Sequence, residues 1–273
     1  MADDPLSDFE ATTFTHGGST RRTYRTGSGP AVIVIAEMPG ITPKVADFAR
    51  KVAGIGCTAV MPHLFGEPGR DPAPEAHGRI GGASTFVRSI VPPCVSREFV
   101  VWSTGRTSPV VAWLRALAAH EHERCGGPGV GAVGMCFTGG FALAMATDER
   151  LLAPVLSQPS LPFAVGAARR RSIDTSPEDL EIVKQRCAAE DDFEVIGLRF
   201  RGDRLVPAER FEFLREQLGD SFTAVELDDE DANPDPPMAP HSVLTEHLVD
   251  EEGEPTRAAL DLVLEHFSKR LLG

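Results

Sequence analysis

Short continuous apolar runs alternate along the chain with stretches whose apolar residues recur every three or four positions. The first run, Ala31-Val32-Ile33-Val34-Ile35-Ala36, is rich in β-branched residues, as a strand buried on both faces requires. From Pro43 the spacing turns helical, with Val45, Phe48, Ala49, Val52 and Ala53 on one face, and Gly54-Ile55-Gly56 stops it. Thr58-Ala59-Val60-Met61-Pro62 is a second buried strand, so this stretch predicts a βαβ unit and a parallel sheet. Further strands are predicted at Leu151 to Leu156, Val195 to Phe200 and Phe222 to Leu227. Helices are predicted with Val110, Trp113, Leu114 and Leu117 on one face, over Pro177 to Ala189 behind the N-cap Ser176, and through Phe211 and Leu214 to Leu218. A last helix from about Pro255 aligns Leu260, Val263, Leu264, Phe267 and Leu271.

Two regions depart from this rhythm. Residues 1–30 are polar and turn-rich, and Thr12 to Thr15 with Arg22 to Arg25 read as a hairpin feeding the sheet. Gly66 to Ser108 has no periodicity and is rich in Gly, Pro and Arg; a long irregular insertion in a compact domain is more often functional than accidental. It is read as loops plus a short helix over the mouth of an active site. The 273 residues, 42% hydrophobic, suit one large α/β domain spanning the whole chain.

Between the helix at Val110 and the strand at Leu151 lies Gly134-Met135-Cys136-Phe137-Thr138-Gly139-Gly140. An apolar run enters it, and small and apolar residues leave it at helical spacing, which reads as strand, sharp turn, helix: a nucleophile elbow with cysteine where serine is commoner. Flanking glycines let the central residue take strained dihedrals and leave room beside it. A helix N-terminus under the Cys favours a thiolate and a developing oxyanion. The same pattern also serves as plain strand-to-helix punctuation around a buried thiol.

Charge narrows the partners. The formal net charge is −13, from 27 basic and 40 acidic residues, which argues against nucleic acid or an anionic membrane surface. No charged, apolar, cleavable N-terminal pattern and no apolar run of membrane-spanning length is present, so a soluble cytoplasmic protein is expected. The five cysteines are scattered without a Cys-x-x-Cys pair, which fits free thiols in a reducing compartment. Cys57, Cys94, Cys125 and Cys187 lack an elbow context and are read as core or surface thiols. No His-Glu-x-x-His or comparable ligand spacing occurs, so neither a metal nor a cofactor is expected.

An elbow nucleophile needs a base, and the base an orienting carboxylate. In α/β-hydrolases these follow in the order nucleophile, acid, His, on loops after strands. Asp203 follows an apolar strand directly, and His241 lies in the loop between the next strand and the last helix. Asp203 is equally a turn or cap residue by type, and His241 competes with His247. His16, His77 and His266 read as solvated, and His120 and His122 fall on different helix faces.

Taken together, Ala31 to Gly66 with its Glu37-Met38-Pro39-Gly40 and Pro62-His63-Leu64-Phe65-Gly66 turns, the elbow, Arg201 to Pro207 and Pro240-His241-Ser242 resemble the dienelactone hydrolase family. The resemblance spans about residues 30 to 270 and is weakest at 66–108 and 159–174. It implies an α/β-hydrolase fold, a mostly parallel sheet with helices on both faces, and a Cys136, Asp203, His241 triad. It also implies that Glu37 contacts the resting thiol, where a carboxylate could hold the thiol proton until substrate displaces it. On the same grounds the backbone N–H groups of Met38 and Phe137 would form the oxyanion hole. Glu37 alone could instead be a cap or a surface ion pair.

Two departures bear on substrate. The family arginine one turn after the catalytic His corresponds to Thr245, and His63 stands where an Asp is common. Arg79, Arg88 and Arg97 are the candidates for holding a substrate carboxylate. The expected activity is hydrolysis of a small-molecule ester or lactone, with a promiscuous carboxylesterase as a variant. The alternative is a non-catalytic or redox-sensing member of the same fold that binds a ligand at Cys136.

Overall fold

The computed structural model describes residues 2–72 and 98–273. The chain opens with strands β1 (Glu10–His16) and β2 (Ser19–Gly27), then β3 (Ala31–Ile35), helix α1 (Pro43–Gly54) and β4 (Thr58–Pro62). After the insertion come α2 (Val110–Cys125), β5 (Val130–Met135), the short α3 (Phe141–Met145), β6 (Leu151–Ser157) and the single turn α4 (Ala167–Arg170). The chain continues through α5 (Pro177–Ala189), β7 (Val195–Phe200), α6 (Ala208–Leu218), β8 (Phe222–Leu227) and α7 (Pro255–Leu271).

The strands form one eight-stranded sheet in the order β1-β2-β4-β3-β5-β6-β7-β8. Strands β3 to β8 are mutually parallel, while β2 is antiparallel to both β1 and β4, so the N-terminal hairpin extends one edge. Each residue of β3 is fully buried because the strand is covered on both sides. Ala31, Ile33 and Ile35 join the core cluster that includes Val110, Leu114 and Leu117 of α2 and Phe211 of α6. Val32 and Val34 point the other way, into the cluster with Val45, Phe48 and Val52 of α1 and Leu260, Val263 and Phe267 of α7. Each such side chain contributes roughly 1.5–3 kcal/mol by leaving water.

Local chemistry starts the helices where the sequence predicts. Thr42 caps α1 through its hydroxyl and the amide of Val45, with Pro43 in the first turn. Ser176 caps α5 in the same way, accepting from the amide of Asp179. These caps fix where each crossover leaves its strand.

The sheet also decides where a site can form. Chain order reverses between β3 and β5, since β4 lies on one side of β3 and β5 on the other. Ligands of open α/β sheets bind at the carboxyl ends of strands beside such a switch point. Glu37 leaves β3 there, and Cys136 leaves β5.

Three expectations need correction or delimiting. The helix predicted after the elbow is delimited to five residues, α3, and the sharp turn before it is a 3-10 turn, Cys136–Thr138. Gly139 and Gly140 separate the two, and their close neighbours, described below, leave the chain little room. His266 is not solvated but buried on α7 beside Phe267, where burial pushes its pKa down to about 4. Residues 66–72 and 98–108 are irregular, as expected, and Arg79, Arg88, Arg97, Cys94 and His77 lie outside the described residues. Among the described residues no helix is long and apolar enough to cross a membrane.

The N-terminal hairpin is fastened to the α2 layer by a buried ion pair. Arg25 of β2, 8% exposed, donates through Nε and Nη2 to Glu121 of α2, which is fully buried and also accepts from Arg124. Breaking such a pair leaves an uncompensated buried charge. Glu121→Ala is expected to lower unfolding stability by ~3–5 kcal/mol, read as a reduced urea midpoint at unchanged slope.

Candidate active site

The elbow is built by close approach. Cys136 sits at φ +52°, a left-handed conformation that a non-glycine residue adopts only when its surroundings hold it there. Those surroundings are tight on three sides. A Cβ on Gly134 would lie 2.1 Å from the carbonyl oxygen of Thr138, one on Gly139 2.4 Å from Cα of Pro159, and one on Gly140 1.8 Å from Oδ1 of Asp174. The Thr138 hydroxyl, 3.0 Å from the amide of Met135, also lies 2.9 Å from the carbonyl oxygen of Ile35. It therefore ties the elbow to the end of β3, where Glu37 and Met38 follow.

The carbonyl of Cys136 is held twice, by the amides of Gly139 and Ser160, each at 2.9 Å. Its thiol is half-buried, and Sγ lies 3.5 Å from Oγ of Ser160. Ser160 is carried by the segment after β6, which Arg210 of α6 anchors. The buried Arg210 guanidinium donates to the carbonyls of Pro159, Pro162, Arg169 and Ser172 at 2.6–3.1 Å. Phe137 packs edge-on against Phe65 and tilted against Phe99, giving the elbow an apolar flank.

Asp203 and His241 meet on loops from two other strand ends. Arg199 of β7 donates to the carbonyl of Val206 at 2.7 Å and to Glu226 at 2.8 Å, which closes the turn bearing Asp203. Asp203 accepts the amide of Leu205 on Oδ1, and its Oδ2 lies 2.6 Å from Nδ1 of His241. Both side chains are buried, so the contact is shielded from water. With Asp203 accepting from Nδ1–H, Nε2 is the nitrogen left to face Cys136, and it is buried. Burial works against a charged imidazole, but its interactions with Cys136 and with Asp203 outweigh it and hold the His241 pKa well above its ordinary value.

His247, the sequence rival, has a different task. Its Nδ1 accepts the amides of His241 and Ser242, at 3.4 and 3.1 Å, and its Nε2 lies 3.4 Å from the carbonyl of Met238. It shapes the loop from inside, and burial keeps its pKa low.

The expected contact between Glu37 and the thiol is not made. Glu37 is buried and accepts hydrogen bonds from Ser242 Oγ at 2.6 Å, Gln158 Nε2 at 3.1 Å and Thr245 Oγ1. The hydroxyl at position 245, where the family carries arginine, draws the carboxylate toward the His241 loop instead. Met38 follows Glu37 after the end of β3, and Phe137 directly follows Cys136. Ser160, Gln158 and Arg210 lie in no local motif that the sequence marks, and Ser242 is marked there only as the residue after His241. Among the described residues no group of acidic, His and Cys side chains is arranged to hold a metal ion.

A sequence model of the dienelactone hydrolase family matches residues 20–162, just over half of the chain. No curated protein matches it. Among solved structures, the chain is similar to a candidate dienelactone hydrolase from Klebsiella pneumoniae, with 21% identity, TM-score 0.59 and coverage of 96% of this chain and 98% of that one. A dienelactone hydrolase-like promiscuous phosphotriesterase from metagenomic libraries is 16% identical, with TM-score 0.57 and the same coverage. A dienelactone hydrolase from Anabaena variabilis is 15% identical, with TM-score 0.54 over 96% of this chain and 98% of that one. At these identities the likeness speaks for the fold.

Asp174, packed on the elbow at Gly140, makes the site sensitive to pH. It is fully buried, neither carboxylate oxygen has a hydrogen-bond partner, and burial pushes its pKa up from 3.8 to about 7, against a partial pull from Arg210. A folded pKa raised above the unfolded one gives stability that is complete below about 3.8 and is lost as pH rises through about 7. Asp174→Asn stays neutral, so its gain in Tm over the wild type is expected to grow across that interval and level off above it, read by thermal melts at a series of pH values.

Proposed function

Because the chain belongs to the dienelactone hydrolase family, we propose that it hydrolyses a carboxylic ester or lactone by acyl transfer through Cys136, His241 and Asp203. The family and the hydrolases among its structural neighbours support hydrolase function in general. The observation that carries the finer reading is the buried 2.6 Å contact between Asp203 and Nδ1 of His241, on the same sheet edge as a cysteine at φ +52°.

In this mechanism His241 Nε2 takes the thiol proton as Sγ of Cys136 bonds to the carbonyl carbon, whose oxygen becomes an oxyanion. The amides of Met38 and Phe137 receive that charge. Collapse of the tetrahedral adduct breaks the carbon–oxygen bond, and His241 returns the proton to the leaving alkoxide. For a lactone the alkoxide stays attached to the acyl chain. His241 then deprotonates a water that attacks the thioester, and the Cys136 thiolate leaves. Asp203 keeps the imidazole in the tautomer with its proton on Nδ1 and stabilises the imidazolium.

The substrate of this reading is a small molecule, and the setting is cytoplasmic, in keeping with unpaired thiols at Cys57, Cys125 and Cys187. Phe65, Phe99 and Phe137 provide an apolar flank for the acyl group.

A panel of aryl esters and lactones tests the proposal. Cys136→Ala is expected to abolish turnover, and Asp203→Asn and His241→Ala to lower kcat by about a thousandfold or more while thermal melts stay close to the wild type. Wild-type turnover in Cys136→Ala would sink the reading. Stoichiometric alkylation of Cys136 with no turnover of any ester or lactone would favour a ligand-binding or redox role instead.

A further inference from the structure

A buried carboxylate must find donors or lose its charge, so the donors it finds show what it is for. Glu37 is 4% exposed, and its three side-chain donors come from the segment after β6 and from the loop after β8. Two of them, Ser242 and Thr245, lie on the loop that carries His241, one directly after it and one a turn further on. The third, Gln158, follows β6 and grips the same loop from the other side. Its Oε1 accepts the amide of Val243 at 3.3 Å and the hydroxyl of Ser157, while its Nε2 donates to Glu37.

Gln158 is itself held in an unusual conformation. Its φ is +35°, left-handed for a non-glycine residue, and its amide is fixed at 2.7 Å from the carbonyl of Leu198 in β7. The ends of β3, β6 and β7 and the loop after β8 are thereby joined through one carboxylate and one amide. The ionisable neighbours that feel the Glu37 charge, Glu246 and His247, belong to that loop as well. The side chains that engage the thiol are Ser160 and His241.

We infer that Glu37 is a positioning residue: its carboxylate clasps Ser242, Thr245 and Gln158 and thereby sets the His241 loop at the distance from Cys136 that acyl transfer needs. The inference rests on the acyl-transfer reading for its catalytic meaning. It removes from Glu37 the task of holding the thiol proton. That task needs an ionisable group near Sγ, whereas a clasp needs acceptors in the right place.

The two roles respond differently to substitution. Glu37→Gln keeps one acceptor oxygen, and its amide can donate to a hydroxyl, so a clasp survives in large part while an acid-base role is lost. Five proteins decide between them: the wild type, Glu37→Gln, Glu37→Ala, the near-isosteric Thr245→Val and the double variant Glu37→Ala/Thr245→Val. Each is assayed for hydrolysis of p-nitrophenyl acetate and for the pH dependence of Cys136 alkylation by iodoacetamide, followed by intact mass.

The expected result is a kcat lower by about 100-fold in Glu37→Ala at nearly constant KM, as a displaced base gives, with Glu37→Gln recovering most of it. Alkylation in Glu37→Ala shifts to higher pH as the thiol loses His241, and Glu37→Gln restores the profile. Thr245→Val shows a partial loss and adds little on top of Glu37→Ala, since the two remove one contact. The inference is overturned if Glu37→Gln is as impaired as Glu37→Ala in both measurements, or if all variants behave as the wild type. Absence of ester turnover in the wild type would strike the acyl-transfer reading alone, because the alkylation profiles judge the clasp without it.

Discussion

A strand that must turn sharply into helical backbone, while lifting one residue's side chain out of the sheet, needs neighbouring atoms closer than a Cβ permits. At Gly134, Gly139 and Gly140 the space of that missing atom is filled by Thr138, Pro159 and Asp174 respectively. The left-handed backbone of Cys136 is the consequence. The rest of the site is placed relative to it: Thr138 carries the end of β3 to the elbow, and Ser160 and its Arg210-anchored segment cover the elbow from the β6 side. Asp203 and His241 then arrive from β7 and from beyond β8.

Much of this was legible because the physics that forms it is local. Strands buried on both faces must be apolar without interruption, so Ala31 to Ile35 and Thr58 to Pro62 could be read directly. Asp203 and His241 were legible for a different reason: in a parallel sheet each strand ends at the same edge, so position after a strand is position near the nucleophile. Whether the side chains would meet was beyond the sequence. The buried contact between them settles which of His241 and His247 bonds to the carboxylate.

What escaped the sequence was of two kinds. The partners of Glu37 lie 121 to 208 positions away and are hydroxyls and an amide, residue types too common to signal anything. The resemblance carried over the carboxylate but not its surroundings, which in this chain are Ser242, Thr245 and Gln158. His266 was a different matter. Its spacing from Val263 placed it on the buried face of α7, and its polar type was given too much weight against its register. Arg210 was passed over for the same reason: a long guanidinium can be buried when carbonyl oxygens surround it.

The carbonyl of Cys136 accepts two amides, one from its own turn and one from the segment beyond β6. This double tether holds the main chain at Cys136 from two sides, so that on the acyl-transfer reading the backbone neither advances toward a substrate nor retreats with an acyl group. Motion at that residue is reduced to rotation about a single side-chain bond. A bulky acyl group must then be accommodated by the walls, so substrate size would be governed by Phe65, Phe99 and the segment bearing Ser160 and not by yielding of the elbow. In mechanical terms the cysteine is a hinge pin, and whatever selectivity the site has is lodged in the parts that swing around it.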